Sequence, residues 1–301
     1  MSLKKLIKGV RKQRSYMSRM SLEPSSYPSY LSCWFESRMG ERLDLDNPRT
    51  LNQKIQWLKL YDSTKLKGYC ADKYLVRNWI SERIGDLNLV PLLGVWQDPD
   101  EIDFDLLPTR FVLKATHGSG WNVIVTDKDR LHQSAARNRL KKWLDLNYAF
   151  WHTGLELHYQ YCQPRIICEE YLDFQHHGPI DYRFFCSYGE VFSVWEDVGS
   201  GTLEHKRNIY TPEWNLQDVC ATWPRFESYG KPEMLDKMIQ YSSILSRDFS
   251  FVRVDFYEYQ RNVFFGEMTF TPMSGLAKFE PTAYDAYLGD FIKLPEAKTQ
   301  G

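Results

Sequence analysis

Apolar and polar residues follow two rhythms along this chain, and their succession predicts helices mixed with strands. Between Thr50 and Asp62, Leu51, Ile55, Leu58 and Leu60 or Tyr61 recur near the helical period, with Thr50 placed to cap. A second helix is predicted over 71–85: Leu75, Val76, Trp79, Ile80 and Ile84 form its stripe, Asp72 opens it and Gly85 closes it. Residues 130–160 read as helical with a break near Tyr148, and 234–247 as a further helix. LVPLLGVW (89–96) reads as a short strand, and FVLKAT and NVIVT as a hairpin around HGSG. Further strands are predicted over 165–172, over 181–197 with a turn at Gly189, and over 251–259 and 262–270. Hairpins of neighbouring strands interspersed with helices predict an α+β fold, not a parallel doubly wound sheet.

Composition narrows the class. With 301 residues, 43% apolar and 26% charged, the chain suits one large domain or two coupled lobes. Its net charge of −1 excludes a polyanion binder acting through overall charge, so no nucleic-acid partner is expected. Six scattered cysteines without a C-x-x-C pair read as reduced cytoplasmic thiols rather than a disulfide frame or a zinc site. The first twenty residues carry seven basic residues and no acid, with too few apolar residues for a secretory segment. They read as a solvated basic tail; the functional alternative is an electrostatic anchor on the inner, anionic face of a membrane. SLEPSSYPSY (21–30) reads as a linker. The expected organisation is tail and linker 1–30, a helical region 31–105, a small lobe 106–172 and a C-terminal lobe 173–297.

Candidate chemistry begins at FVLKATHGSGWNVIV (111–125), where a lysine interrupts an apolar strand beside a glycine loop. A buried amine needs an anionic partner, and beside backbone N–H groups the simplest one is phosphate. The G-x-x-x-x-G-K-[ST] pattern fails because Lys114 precedes the glycines; the G-x-G-x-x-G pattern fails because Val123 replaces the third glycine and no helix follows. What remains is a hairpin flap, His117, Gly118, Ser119 and Gly120, with Lys114 behind it.

The second constellation is FVRVDFYEYQRNVFFGEMTFT (251–271). Strand alternation puts Arg253, Asp255 and Tyr257 on one face, and Glu267, Thr269 and Thr271 on one face of the next strand. If Gln260-Arg261-Asn262 forms a three-residue loop, Asp255 lies opposite Glu267; a two-residue loop would part them. Like charges directly opposite are destabilising, and a divalent cation would reverse that, since Mg²⁺ prefers hard oxygen ligands. Val252, Val254 and Phe256 would supply the buried face. Elsewhere, Glu169 and Glu170 end an apolar strand where they could meet an adenine amine or ribose hydroxyl. Lys206 and Arg207 could neutralise phosphate or a substrate carboxylate.

Taken in order, the helix-opening Asp72-Lys73, the lysine strand with its glycine loop, EEYL, DYRFF, KRN and RVDF…GEMTFTPMSG resemble the ATP-grasp superfamily. The resemblance is closest to the branch similar to the teichuronopeptide biosynthesis protein TupA, over about residues 45–295. It implies two lobes gripping ATP between β-sheets. A substrate carboxylate would attack the γ-phosphate to give an acylphosphate, from which an amine displaces phosphate. It further implies Lys73, Lys114 and Lys206 on the phosphates, the 117–120 loop over them, and Glu169 and Glu170 near adenine and ribose. Asp255, Glu267 and Thr269 would hold Mg²⁺, with Arg253, Lys114 and Arg207 in catalysis. Many members have Asn where this chain has Thr269, so Thr269 would bind the ion through water or position Glu267. The implied substrates are an amino acid and an acidic sugar of a surface polysaccharide or its precursor. The alternatives are a glycosyltransferase, for which Asp44-Leu45-Asp46 is the only metal pattern, and a catalytically silent nucleotide-binding module.

Overall fold

The computed structural model describes residues 3–174 and 178–296, with side chains from Arg11 onward. The basic segment is a helix, α1 (Leu3–Met20), where the sequence suggested a solvated tail. The Ser/Pro stretch is a linker only in part. Pro24 starts a single 3₁₀ turn, and α2 (Tyr27–Met39) begins with Pro28 in its first turn, where a missing N–H costs nothing. Next comes α3 (Leu51–Tyr61), whose Thr50 cap accepts from the Gln53 amide as expected. An unexpected helix, α4 (Lys65–Ala71), follows, and the helix predicted over 71–85 starts later, as α5 (Val76–Ile84), after a bend. At that bend the Asp72 carboxylate accepts from the amides of Tyr74 and Leu75, a local bond that competes with helix continuation.

The first sheet holds β1 (Leu92–Trp96), β2 (Phe111–Ala115), β3 (Asn122–Val125) and β4 (Ile166–Glu170) in the order β1-β4-β2-β3, all antiparallel. Between β3 and β4 lie α6 (Gln133–Leu144) and α7 (Tyr148–Trp151), so the break near Tyr148 falls where α7 starts. The second sheet is built from β5 (Ile180–Ser187), β6 (Glu190–Val198) and β7 (Lys206–Tyr210), a strand the alternation did not reveal. A two-residue strand, β8 (Cys220–Ala221), and α8 (Leu235–Ser246) then precede β9 (Val252–Tyr259) and β10 (Asn262–Thr269). The five strands run β10-β9-β5-β6-β7, again antiparallel. The short β11 (Phe279–Glu280) pairs with β8, and α9 (Ala283–Asp290) packs on α3.

Alternation divides the second sheet into two chemically opposite faces. Val252, Val254 and Phe256 are fully buried with Phe184, Val194 and the α8 residues Met238 and Leu245. Arg253 and Asp255 of β9 lie on the opposite face.

Candidate active site at the junction of the two sheets

Asp255 and Glu267 are Cα partners across β9 and β10, but not through the loop the sequence suggested. The turn has two residues, Gln260 and Arg261, both with positive φ (50° and 61°), so Asn262 pairs with Tyr259. That register alone would have put the acids on opposite faces. A β-bulge between Phe265 and Glu267 absorbs one residue at Gly266 and brings Glu267 back. Two departures from the expected register cancel.

The crowding of the two acids is also resolved differently. Arg253 donates from Nε to Asp255 Oδ1 (2.7 Å) and from Nη2 to Asp255 Oδ2 (2.5 Å), Glu267 Oε1 (2.9 Å) and Thr269 Oγ1 (3.1 Å). A guanidinium bridges the pair, so their juxtaposition does not of itself demand a metal. Thr269 donates to Glu267 Oε1 (2.9 Å) and so fixes that carboxylate. Burial pushes Asp255 up to about 6, although Arg253 and Arg183 pull it down; at neutral pH it is ionised, as Arg253's two donors require. Glu267 is held below the usual carboxylate range: burial opposes this, but Lys73 and Arg253 prevail.

Lys114 reaches the same place from the other sheet, and Lys73 from the bend before α5. Lys114 alternates with the buried Leu113 and Ala115 and so projects from the opposite face of β2. Its Nζ donates to Glu169 Oε2 (2.6 Å), and Arg77 donates to Glu169 Oε1 (3.0 Å). Lys73 sits on the Asp72 bend, its backbone N–H on the Thr116 carbonyl and its Nζ 2.5 Å from the Gly118 carbonyl. Burial lowers its pKa, Lys114 lowers it further, and Glu267 opposes both. Lys73, Lys114, Glu169, Gly266 and Glu267 line one narrow cavity. It meets, at Lys114 and Glu169, a cleft of about 240 Å³ lined by Val90, Val112, Ile124, Leu172, Tyr257 and Glu170. An apolar slot ending in two amines and two carboxylates suits a flat ring system carrying a polyphosphate.

Among the expected site residues, His117, Lys206 and Arg207 lie outside both cavities. His117 is buried, its Nε2 2.9 Å from the Trp143 carbonyl and its ring edge-on to Trp121; burial lowers its pKa, and it lines neither cavity, so it is a structural residue. Arg207 is 1% exposed and fully engaged: Nε and Nη2 bond Asp197 (2.7 and 2.5 Å), and its plane lies between Trp195 and Trp223. It is no free catalytic cation. Lys206, exposed and one residue away, projects from the other face of β7 and lines neither cavity. Glu169 is paired with Lys114 and Arg77 at the amine end, whereas Glu170 is exposed along the apolar cleft. In the 118–120 flap the glycines serve different needs. A Cβ at Gly118 would meet the Tyr148 ring at 2.5 Å, and Gly120 has φ +72°. Asp44, of the D-x-D pattern, accepts from the amides of Asp46 and Asn47 and is a turn former.

The sequence reading missed Arg183, the Cα partner of Asp255 on β5. Its Nη1 bonds Asp197 (2.7 Å), Nη2 bonds Asp181 (3.2 Å) and Ser200 (3.0 Å), and Nε stands 3.8 Å from Asp255 Oδ2. The signal was there: Asp181-x-Arg183 mirrors Arg253-x-Asp255, the spacing that puts acid and base on one strand face.

Two antiparallel sheets flank the cleft, with Lys114 on one side and the acid pair on the other, an arrangement suited to holding a nucleotide. The family model described as TupA-like ATP-grasp matches residues 53–293. The chain belongs to that family of ATP-grasp ligases. It is similar to the D-alanine–D-alanine ligase of Bacillus anthracis solved with ATP (14% identity, 78% of this chain and 66% of that one, TM-score 0.46). It is also similar to the L-amino acid ligase of Bacillus licheniformis (14%, 71% and 43%, 0.39) and to the ATP-grasp ligase PsnB solved with a minimal precursor (10%, 68% and 54%, 0.39). The chain spans less than two thirds of the length of each, and these likenesses add no weight to the family match. No curated protein matches the chain.

Proposed function

We propose that this chain is an ATP-dependent carboxylate–amine ligase that joins an amino acid to an acidic sugar of a surface polysaccharide or its precursor. The observation that carries the reading is the meeting of Lys73 and Lys114 with Glu267 in one cavity at the end of an apolar cleft, with Arg253 and Asp255 bonded behind Glu267. Phosphoryl transfer needs little beyond positioning and charge neutralisation, which two amines and a guanidinium provide. A carboxylate oxygen of the acid attacks the γ-phosphorus as the bond to the ADP oxygen breaks. The amine nitrogen then forms a bond to the acyl carbon, phosphate departs, and the nitrogen loses a proton. Arg253, behind Glu267, would hold the negative charge on the reacting acyl group, with Arg183 near it.

The donors fit a divalent cation of the Mg²⁺ type: hard oxygens from Asp255 and Glu267, the latter 31% exposed and open to the cavity, with Thr269 supporting through water. The ion would neutralise triphosphate charge. The sugar acid as substrate is supported by the likeness of LNQKIQWLKLYD and FGEMTFTP to the teichuronopeptide branch. The test is phosphate release from ATP across a screen of amino acids against hexuronic acids. Release that requires both partners supports the reading; turnover with neither, or with UDP-sugars alone, refutes it.

One observation favours a second reading. Arg253 already occupies both oxygens of Asp255, as a silent nucleotide-binding module would retain it. Such a module binds ATP in calorimetry and turns over with no pair of substrates.

A further inference from the structure

Helix α1 meets the rest of the molecule with its basic side. Arg19 donates from Nε to the Phe150 carbonyl (2.7 Å) and from Nη2 to the Trp151 carbonyl (3.1 Å). The Tyr16 hydroxyl accepts from the Asn147 amide (3.0 Å), and the Lys12 ammonium stands 4.0 Å from the Trp151 ring centre. At about 100° per residue, Lys12, Tyr16 and Arg19 share one side of the helix. Met17 falls on the opposite side and is 57% exposed; Met20, near it, is 41% exposed. Counted at the same 100° per residue along the sequence, Leu3, Leu6 and Val10 fall in register with Met17. The sequence thus sets an apolar stripe in line with Met17, which is turned away from the fold.

We propose that α1 lies in the surface of an anionic lipid membrane, with this stripe toward the acyl chains and the body of the protein held on the opposite, polar side. Charge selects the occupant. Besides the packed Arg19, Lys4, Lys5, Lys8, Arg11, Lys12 and Arg14 lie in this one helix, and no acid precedes Glu23. A second copy packed stripe to stripe would bring two such sets of like charges together. A nucleic acid would meet the charges and leave the stripe in water. An anionic bilayer satisfies both, which is the pattern of helices lying in the interface plane. Among the described residues no helix is long and apolar enough to cross a membrane, so α1 lies on the surface and does not span.

The experiment is co-sedimentation of the full chain with phosphatidylcholine vesicles and with vesicles also containing phosphatidylglycerol. Binding is expected only to the second, weakening as salt rises. The Leu6→Glu/Val10→Glu/Met17→Glu variant should bind roughly tenfold or more weakly at an unchanged melting temperature. Arg11→Gln/Arg14→Gln keeps the stripe and serves if the triple variant misfolds; it should lose affinity for anionic vesicles alone. Equal binding to both vesicle types overturns the proposal, as does a folded triple variant that binds like the wild type. So does a wild-type dimer that ignores vesicles and that the triple variant dissociates. None of these readouts depends on ligase turnover.

Discussion

One guanidinium does what a metal was expected to do. Because Arg253 bridges Asp255 and Glu267, each acid can be changed without leaving the other uncompensated. Asp255→Asn retains an oxygen for Arg253 and removes a hard anionic ligand; Lys114→Ala leaves Glu169 its bond to Arg77. Each should lower ligase turnover by roughly 10²–10³ with an unchanged circular-dichroism spectrum. Near wild-type rates in either would remove that residue from the site. A different residue-scale prediction concerns Lys59, 1% exposed, whose amine bonds Gln56 Oε1 (2.9 Å) and the carbonyl and hydroxyl of Ser274 (2.8 and 2.9 Å). Burial lowers its pKa to about 7, against the pull of Glu156. Between that value and the ordinary lysine range the unfolded chain binds more protons than the folded one. Stability from this group therefore rises with pH, by at most about 1.4 kcal/mol per pH unit. Lys59→Met should flatten that rise in urea melts compared between about pH 7.5 and about pH 9.5; an unaltered slope would mean that the amine is not desolvated in the folded chain.

At the scale of the element, the β9–β10 hairpin holds two compensating irregularities, and each can be tested alone. Removing Gly266 deletes the bulge, turning Glu267 and Thr269 to the far face and the buried Met268 outward. Turnover should vanish and stability should fall by roughly 2–5 kcal/mol; retained activity would mean the acids need not face each other. The turn is strained in the other direction, since Gln260 and Arg261 adopt the left-handed conformation without being glycine or asparagine. Gln260→Asn/Arg261→Gly should stabilise the protein by roughly 1 kcal/mol. The exposed Arg261–Glu233 ion pair that it removes is worth little. A melting temperature that drops instead would show the pair to matter more than the backbone. Strand alternation made the acid pair legible beforehand. The turn length was not, because nothing in Gln-Arg announces positive φ, and the bulge was signalled only by a glycine inside a strand. The helix expected over 71–85 starts only at Val76 for a comparable reason: Asp72 bonds local amides, which a periodic count of apolar residues does not register.

For the whole molecule, the cleft predicts a coupling between ligand and fold. ATP with Mg²⁺, at about a hundred times its dissociation constant, should add about 2.7 kcal/mol to unfolding stability. The shift in melting temperature should be much reduced by Lys114→Ala. Equal shifts in both proteins would place the nucleotide elsewhere.

By itself the sequence determined the α+β class, most strands and their buried faces, the lysine Lys114 beside its glycine loop, and Arg253 with Asp255 on one strand face. These follow from local periodicity and from side-chain chemistry, which travel with the chain. Lys73 entered only through the family resemblance, and the facing of Asp255 and Glu267 rested on a loop length that the structure overturns. Only the tertiary structure decided that the clusters meet, that Arg183 joins them, and that Arg207 and His117 are consumed by packing. Those outcomes depend on which long-range partner reaches a charge first: Asp197 took Arg207, and the Trp143 carbonyl took His117. Partners brought together by folding across many residues leave no mark in local spacing.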